Sequence, residues 1–360
     1  MKNHISLFIF AIALLSGPVS ANDLSMTAVK DTLASIPGEH NYIYVRTPLG
    51  EDEEKNYDEI TFYDGLGREL DFAQSYGADR AGAIMAHHHL IEYDSLGRKE
   101  KQWLSTNTSF SYMSPEDLKG GVLWDYHDAG KRSYLQTNYE SSPLNRITEQ
   151  YGVGDAWGDH PARMEYLTNI PADSLRCSFY FIDDNDSLIR RGDYRSGELQ
   201  VTKATDEDGK PTYTFVDKQG RTLLTRLGRG NQQADTYFVF DRFGRIRYVL
   251  PPMINDEISA GNLDLYAYQY LYDSFGRCIS KKLPGCAAIG YVYDKADRVI
   301  LSQNGNQSQK KEWTFTFYDN QGRLALTGLG SSSNLVVISF LFQLSSSFLI
   351  LLKVVDMFAF

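Results

Sequence analysis

The sequence predicts an all-β protein built from repeated antiparallel β-hairpins, and three observations lead to that prediction. A short turn motif recurs along the chain, and several segments between its copies alternate between two residue classes with a period of two. Tyr266, Tyr268, Tyr270 and Tyr272 are predicted to share one face of a strand. The chain also has 24 Tyr, 19 Phe and 4 Trp, and aromatic residues favour the pleated surface of a sheet.

The turn motif has the form Asp-x-x-Gly-Arg, usually with an aromatic residue directly before the Asp. The six strict copies are Tyr63, Asp64, Gly67 and Arg68; Tyr93, Asp94, Gly97 and Arg98; Asp217, Gly220 and Arg221; Phe240, Asp241, Gly244 and Arg245; Tyr272, Asp273, Gly276 and Arg277; and Tyr318, Asp319, Gly322 and Arg323. A seventh copy, Tyr293, Asp294 and Arg298, has Asp297 in place of Gly, and Asp206–Lys210 is a looser eighth.

Turn chemistry explains this spacing. An Asp at the first position of a type I turn accepts backbone N–H groups, and a Gly three residues later takes the positive φ angle. A type I turn followed by a left-handed Gly is a common hairpin connection, so each copy is predicted to be a hairpin tip. The Arg is expected to pack its stem along neighbouring Tyr rings while its guanidinium pairs with carboxylates. These residues therefore have a structural role, and we assign none of them to catalysis.

Composition limits the function classes. With 36 Lys and Arg against 46 Asp and Glu, the formal net charge is −10, and 42% of the residues are hydrophobic. This balance is that of a globular protein and argues against a disordered chain or a polytopic membrane protein. An acidic chain without a basic stripe is also a poor candidate for nucleic-acid binding.

The chain divides into five predicted segments. The start, with Lys2, an apolar run from Ile5 to Leu15 and Val19-Ser20-Ala21, is typical of a signal peptide, so we expect export. A short helix is expected between Asn22 and Pro37. The predicted segments are 1–21, the signal peptide; 22–99, strands with the first repeats; 100–205, an irregular insertion or subdomain; 206–328, the main repeat sheet; and 329–360, a linker and apolar tail.

The apolar tail leaves alternatives open. Residues 335–352 carry no charge, and eighteen residues reach the lower limit for a membrane span. A C-terminal membrane anchor is therefore one interpretation. A poorly ordered tail, or a tail from outside the original reading frame, is the other.

The Tyr-Asp-x-x-Gly-Arg units resemble the YD repeats of the bacterial Rhs family, over roughly Tyr42 to Thr327. Phrases such as Tyr248–Pro252 and Tyr139–Arg146 are similar to those of Rhs-like proteins from Bacteroidetes. The resemblance implies an exported protein whose strands wind into a spiral or partly open β-sheet shell, often around a polymorphic toxin. The sequence has no Asp-Pro dipeptide, so the family's self-cleavage motif is missing, and no effector domain follows Thr327.

Residues that could carry chemistry give weaker patterns. His87-His88-His89 could place two rings on one strand face, but no further ligands stand at zinc spacing, so solvated polar residues are expected. Asp183-Asp184-Asn185-Asp186 lacks the Gly and Glu of a calcium loop and is expected to be a plain acidic turn. Cys177, Cys278 and Cys286 are expected to be free thiols, with Cys278 opposite Tyr291. We predict no metal, no cofactor and no catalytic residue.

Three functional hypotheses follow. The first is a non-enzymatic, exported YD-repeat β-scaffold from an Rhs-like surface or toxin-delivery system, with other Rhs-like segments as partners. The second is a module that binds a glycan or cell surface through exposed aromatics such as Tyr266 and Trp313. The third, a hydrolase in residues 100–205, would depend on His127, Asp155 or His160.

Overall fold

The structure is a computed structural model that describes residues 36, 38, 40–49, 56–78, 84–127, 130–228, 233–254 and 257–331. The predicted signal peptide, the helix expected around Met26–Leu33 and the apolar tail at 335–352 lie outside these residues. Within the described ranges, no helix has both the length and the apolar character needed to cross a bilayer. The described residues form two compact units, and the chain passes between them at 165/166, 203/204 and 209/210.

In its described residues, the first unit is a set of antiparallel strands with one α-helix. Its strands are β1 Asn41–Pro48, β2 Asn56–Tyr63, β3 Glu69–Ala78, β4 Ile84–Tyr93, β5 Lys99–Trp103, β6 Thr106–Ser109, β7 Tyr134–Tyr139, β8 Ile147–Tyr151 and β9 Ala162–Thr168, which runs past the boundary at 165. Strand β4 pairs with β3, β5 and β6, and β5 continues through β7 and β8 to β9. Helix α1, Pro115–Asp125, begins at Ser114, whose side chain accepts the N–H of Asp117, and it buries Leu118 and Val122.

The second unit is dominated by an antiparallel meander. Its strands are β10 Ser178–Ile182, β11 Leu188–Asp193, β12 Gln200–Thr205, which runs past the boundary at 203, β13 Pro211–Val216, β14 Thr222–Leu227, β15 Ala234–Phe240, β16 Ile246–Leu250, β17 Tyr268–Tyr272, β18 Cys278–Lys282, β19 Ile289–Tyr293, β20 Val299–Gln303, β21 Glu312–Tyr318 and β22 Leu324–Ser331. Each strand from β13 to β22 pairs with the next along the chain, and β10 pairs with β11. Its helices are α2 Ala260–Tyr266 and α3 Gly305–Lys310. The predicted all-β class of repeated antiparallel hairpins is confirmed.

Each unit has its own apolar core, made from alternate positions of its strands. In the first unit, Ile60 and Phe62 of β2 are fully or almost fully buried and pack with residues such as Ile84. In the second, Phe215 and Leu224 are fully buried. Burying one such side chain contributes about 1.5–3 kcal/mol, so these residues fix which face of each strand points inward.

A register shift follows each strict repeat turn. On the strand after the turn, the residue two positions beyond the repeat Arg is skipped in the pairing. For example, Tyr272 pairs with Cys278 and Leu271 with Ser280, which leaves Ile279 as the extra residue. After the other strict turns the skipped residues are Leu70, Glu100, Leu223, Arg247 and Ala325. Thr148 and Ile300 are skipped in the same way after two variant turns, which end at Arg146 and Arg298. One extra residue inverts the alternation of faces, so inward and outward positions cannot be counted continuously through a hairpin.

Two local predictions are wrong. Tyr266 ends helix α2 instead of lying on a strand, because Ser259 caps that helix by accepting the N–H of Asn262, and β17 begins only at Tyr268. Ser280 pairs with Gly290, so the strand register differs by one residue from the one that would place Cys278 opposite Tyr291. The expected turn at Leu283–Cys286 is present, with the Cys286 N–H donating to Leu283, and an extra residue enters between that turn and β19.

Candidate functional site: the repeat ladder

The first repeat copy shows how the motif closes a hairpin. The Asp64 N–H donates to the carbonyl of Arg68 at 2.9 Å, and the Gly67 N–H donates to the carbonyl of Asp64 at 3.0 Å. Asp64 Oδ1 accepts the N–H groups of Leu66 and Arg68, both at 2.9 Å, and Oδ2 accepts Arg68 Nε at 2.7 Å. Gly67 has φ +77°, where a residue with Cβ would be strained. One carboxylate therefore satisfies the turn and also anchors the Arg.

The other copies repeat this geometry. The Arg Nε donates to the Asp Oδ2 at 2.7–2.8 Å in the copies that begin at Asp94, Asp217, Asp241, Asp273, Asp294 and Asp319. Partial burial alone would raise the pKa of Asp64, but hydrogen bonds from Arg68 and Leu66 outweigh it and the pKa is lowered. The same balance lowers the pKa of Asp217. The turn carboxylates are therefore held in their charged form.

The repeat Arg also reaches the next copy along the chain. The Arg68 guanidinium carbon lies 4.5 Å from the centre of the Tyr93 ring, and the Tyr93 hydroxyl donates to the carbonyl of Glu69 at 2.6 Å. Arg245 and Tyr272 repeat both contacts, at 4.8 Å to the ring and 2.9 Å from the hydroxyl to Ile246. A cation over an aromatic ring contributes about 0.5–1 kcal/mol at such exposed sites.

We call this series of contacts the repeat ladder. In a ladder link, a repeat Arg stacks on the aromatic ring of the next copy. When that aromatic is a Tyr, its hydroxyl also donates to the backbone carbonyl of the residue directly after the Arg. In the remaining links the stacked pairs are Arg98 on Tyr139, Arg221 on Phe240, Arg277 on Tyr293 and Arg298 on Tyr318. The hydroxyls of Tyr139, Tyr293 and Tyr318 donate to the carbonyls of Lys99, Cys278 and Val299, respectively. Phe240 has no hydroxyl, so its link consists of the stacking contact alone.

The position of the turn Gly is held by a polar residue in three turns, and each of these residues faces an Arg. Asp297, at φ +60°, accepts Arg277 Nη1 at 3.0 Å. Asn145, at φ +54°, accepts Arg98 Nη1 at 3.4 Å. Asp186, at φ +63°, makes a two-point ion pair with Arg247. Asp and Asn tolerate the left-handed region better than most residues, and here the oxygen also pairs with an Arg.

Two turns of this kind are not recognisable from the strict motif. Asp183 Oδ1 accepts the N–H groups of Asn185 and Ser187, so the predicted acidic turn has the repeat geometry without the Arg. Glu140 replaces Asp in a longer turn that ends at Arg146, and the Arg146 hydrogen bonds lower the pKa of Glu140 to about 2. The Tyr-Glu at 139–140, which matches the aromatic-acid pair of the motif, was the signal that could have identified this copy.

The prediction of solvated side chains is wrong for the middle residue of the His87–His89 cluster. His88 is 1% exposed, with Nδ1 2.6 Å from Asp71 Oδ2 and Nε2 2.9 Å from the carbonyl of Ser109. Both ring nitrogens lie within hydrogen-bonding distance of an oxygen atom, so both polar ends of the buried ring are engaged. His88 alternates with inward residues of β4, which explains its burial.

A second buried charge lies on β2 of the first unit. Asp58, fully buried, accepts Arg46 through both carboxylate oxygens, at 2.7 and 2.9 Å, and accepts the hydroxyl of Tyr44 at 2.5 Å. Burial, followed by the hydrogen bond to Asp58, raises the pKa of Tyr44. The carboxylate of this cluster is satisfied by its own neighbours.

The residues named for the hydrolase and glycan-binding hypotheses make local contacts of the kind that stabilise turns and strands. Asp155 accepts the backbone N–H groups of Lys131 and Arg132, and His127 Nδ1 is 3.3 Å from the carbonyl of Trp124. Tyr266 and Trp313 are half-buried, whereas Trp124 of α1 is 83% exposed.

The cavities and thiols of the described residues are as follows. The largest cavity described in the second unit has a volume of about 380 Å³ and is lined by Asp186, Arg245 and Arg247, whose charges are paired. Among the described residues, no three His, Cys, Asp or Glu side chains gather to hold a metal ion. Cys177 is buried, which raises the pKa of its thiol to about 12, and Cys278 and Cys286 are also free.

Comparison with known proteins gives a family match and a fold match. A family model described as a domain of unknown function, DUF6443, matches residues 41–168. The crystal structure of TcdB2-TccC3 without its hypervariable C-terminal region matches 86% of this chain with a TM-score of 0.54 and 13% identity, over 14% of its own length. The structure of TcdB2-TccC3-TEV matches 81% with a TM-score of 0.52 and 13% identity, over 13% of its length. A search of curated proteins finds no match.

At this level of identity the structural match concerns the fold alone. This chain spans 13–14% of the length of the structures that it matches. The match supports the Rhs-like β fold that the repeats imply.

Proposed function

We propose that this chain is an exported, non-enzymatic YD-repeat β-scaffold, part of an Rhs-type surface or toxin-delivery protein of the Bacteroidetes kind. One observation carries the proposal: the conspicuous polar residues of the motif are engaged with one another in the repeat ladder. Each turn carboxylate binds its own Arg, and six repeat Arg side chains stack on the next aromatic. Such a network supports rigidity, since ordered charge networks on a sheet hold neighbouring hairpins together.

The distribution of the repeat ladder along the chain also supports a scaffold role. Links occur in both compact units, from Arg68 with Tyr93 to Arg298 with Tyr318. Each link joins one hairpin to the next, so the stabilising contacts run across the strands and along the row of turns. A scaffold needs this distribution, whereas an enzyme concentrates its polar groups around a cleft.

Limited proteolysis tests the scaffold proposal. The purified full chain is exposed to trypsin, and the cleavage sites are identified by mass spectrometry. We expect the many Arg residues at the turns within 56–331 to resist cleavage, because each is ion-paired. Arg277→Ala should open cleavage at neighbouring hairpins, whereas Arg191→Ala, at an exposed position outside the ladder, should not. Rapid cleavage of the unaltered chain at most turn Arg residues would contradict the proposal.

Cell fractionation tests the export part. Mass spectrometry of the fractions of the producing cell should find the mature chain outside the cytoplasm, starting near Asn22. A chain found in the cytoplasm with Met1–Ala21 still attached would contradict export.

The glycan-binding alternative has weaker support. Its two named aromatics are half-buried, and Tyr266 packs against the core of the second unit. A flat stacking platform for a sugar needs an exposed ring face, and partial burial reduces the ring area that these two side chains present.

A further inference from the structure

One face of the sheet in the first unit carries aromatic and polar side chains. Side chains that lie opposite each other on paired strands, or two positions apart on one strand, share a face. By the register of β4, β5, β7, β8 and β9, the members of this face are Glu92, Lys101, Trp103, Tyr134, Gln136, Asn138, Glu149, Tyr151 and Arg163. We call it the polar face. Arg163 is exposed, and the other eight residues are half-buried.

The two carboxylates of the polar face are already paired. Glu92 lies on β4 and Glu149 on β8. The partners of Glu92 are Lys101, Trp103 and Lys119 of helix α1, and those of Glu149 are Asn138, Tyr151 and Arg163. Burial alone would raise the pKa of Glu92, but hydrogen bonds from Lys119 and Trp103 outweigh it and the pKa is lowered. Hydrogen bonds from Asn138 and Tyr151 likewise lower the pKa of Glu149. Both carboxylates are therefore held in their charged form beside a cation.

Arg132 lies against the polar face without such a partner. Its guanidinium carbon is 5.4 Å from the centre of the Tyr134 ring and 5.1 Å from that of the Tyr151 ring. Its Nε and Nη2 atoms are buried without a hydrogen-bond acceptor, and in the described part of the chain no carboxylate forms an ion pair with Arg132. Asp155 accepts the backbone N–H of Arg132 instead. A buried donor without an acceptor is rare and costs stability, so this charge needs a functional explanation.

The charges around Arg132 favour an anion as its partner. On this surface four cations, Lys101, Lys119, Arg132 and Arg163, stand against two carboxylates, although the chain as a whole is acidic. A guanidinium binds a carboxylate through its planar fork of N–H groups, with two parallel hydrogen bonds. A carboxylate is therefore an anion whose shape and charge complement Arg132.

We propose that the polar face binds an oligosaccharide that carries a uronic acid, with the uronate carboxylate on Arg132. Sugar hydroxyls would pair with the amides of Gln136 and Asn138, and the C–H face of a sugar ring would lie against Trp103 or Tyr134. These rings are half-buried, so they add contact area beside the charge, and the carboxylate contact should supply most of the affinity. The site is separate from Tyr266 and Trp313 and goes beyond the scaffold function.

The make-up of the polar face favours a sugar over a peptide. Peptides that bind to sheets use a free strand edge or apolar pockets. Strands β5, β7 and β8 pair on both sides, and none of the nine residues of the face is aliphatic. Amide groups such as those of Gln136 and Asn138 both donate to and accept from hydroxyls, which sugars present in number. One unpaired cation beside two paired carboxylates suits a single acid on an otherwise neutral sugar, because the carboxylates would repel a polyanion.

Isothermal titration calorimetry with the full chain tests the proposal. The probe is xylotriose that carries one glucuronic acid residue, compared with the methyl ester of that glucuronate and with plain xylotriose. We expect saturable binding of the acidic sugar, and about tenfold weaker binding of the two neutral sugars. Arg132→Gln should weaken binding of the acidic sugar about tenfold or more, because a charged pair is lost. Trp103→Ala should weaken it about two- to tenfold, because ring contact is lost.

Matched variants outside the polar face give the controls. Arg191→Gln and Trp124→Ala change an exposed Arg and an exposed Trp, and both should leave binding unchanged. The thermal midpoint of the Arg132→Gln variant should stay close to that of the unaltered chain, because no ion pair within the described residues is lost. This separates a binding role of Arg132 from a purely structural one.

Several outcomes would overturn the proposal. They are absence of binding to the unaltered chain, equal binding of the methyl ester, and unchanged binding by the Arg132→Gln variant. A short peptide with a single Glu that binds as tightly as the acidic sugar would show recognition of a carboxylate without the sugar, and would also overturn it. The comparison of acid with ester uses the unaltered chain, so it holds even if a variant fails to fold. Trypsin resistance and location do not depend on the sugar, so a failure here would leave the scaffold function standing.

Discussion

The first unit places carboxylates inside its core face, whereas the second relies on a larger apolar cluster. In the first, fully buried Asp58 lies on the inward face of β2 together with Ile60 and Phe62. Asp71 of β3, also buried, contacts His88 of β4. In the second, fourteen described apolar residues form one buried cluster, against seven in the first. The first unit should therefore be sensitive to loss of a polar partner, and the second to loss of volume.

The largest expected effect is a cavity in the second unit. Phe215→Ala removes a fully buried ring and should lower the free energy of unfolding of that unit by about 3–5 kcal/mol. Hydrogen exchange in increasing denaturant measures this, with peptides from 41–165 reporting on the first unit. Phe243→Ala, at a 67% exposed turn position, serves as the control and should cost little. An equal loss of protection in both units would contradict the comparison.

Loss of a buried carboxylate should lower the stability of the first unit. Asp58→Ala leaves Arg46, whose side chain is 12% exposed, without its two-point partner and removes the acceptor of Tyr44. Breaking a buried pair from one side costs about 3 kcal/mol or more. The same exchange experiment should show weakened protection in 41–78. Asp58→Asn, which keeps the volume and one acceptor oxygen, should cost less, and an equal cost of the two variants would show that the charge of the carboxylate alone is decisive.

Acid should weaken the ladder in both units. The pKa of Asp217 and of the equivalent repeat Asp residues is lowered in the folded chain, so their contribution to stability is present above pH 4 and is lost as the pH falls below it. Thermal unfolding from pH 6 to pH 2.5 measures the loss. Asp217→Asn should cost about 1–2 kcal/mol at pH 6 and flatten the acid dependence. Asp319→Asn, whose Arg323 is mostly exposed, should change the profile less.

The smallest effect tests a single link. Tyr293→Phe removes the hydroxyl that donates to the carbonyl of Cys278 at 2.8 Å, and should cost about 1 kcal/mol. Tyr291→Phe, two residues away on the same strand, is the matched control and should be neutral. Equal effects of the two variants on the thermal midpoint would show that the hydroxyl of the ladder contributes nothing specific.

Local turn chemistry could be predicted from the sequence, but long-range pairing could not. The Asp and Gly of each strict copy specify the turn through contacts within five residues, so their pattern identifies them directly. The stacking of Arg68 on Tyr93 depends on the pairing of strands 25 residues apart in sequence, which no local pattern states. The skipped residue after each turn, such as Ile279, inverts the faces and prevented identification of the core side from alternation.

The missed features have similar causes. The turn from Glu140 to Arg146 has a longer acid and a longer loop, so it falls outside the strict spacing. His88 is polar, and only the burial of its β4 neighbours shows that it points inward. Tyr266 continues the alternation of β17, but the capping hydroxyl of Ser259 places it in a helix.

The direction of the ladder restricts which duplications, exchanges and deletions of hairpins the chain can accept during evolution. Every completed link runs from the Arg of one copy to the aromatic of the next, so a block of hairpins has unlike ends. A duplicated or exchanged block keeps its links only if it is joined in the same order and cut between whole hairpins. Deleting one strand would separate an Arg from the aromatic of its link and reverse the direction of every later strand. Lengths that differ by complete hairpins are therefore the variants that this architecture tolerates.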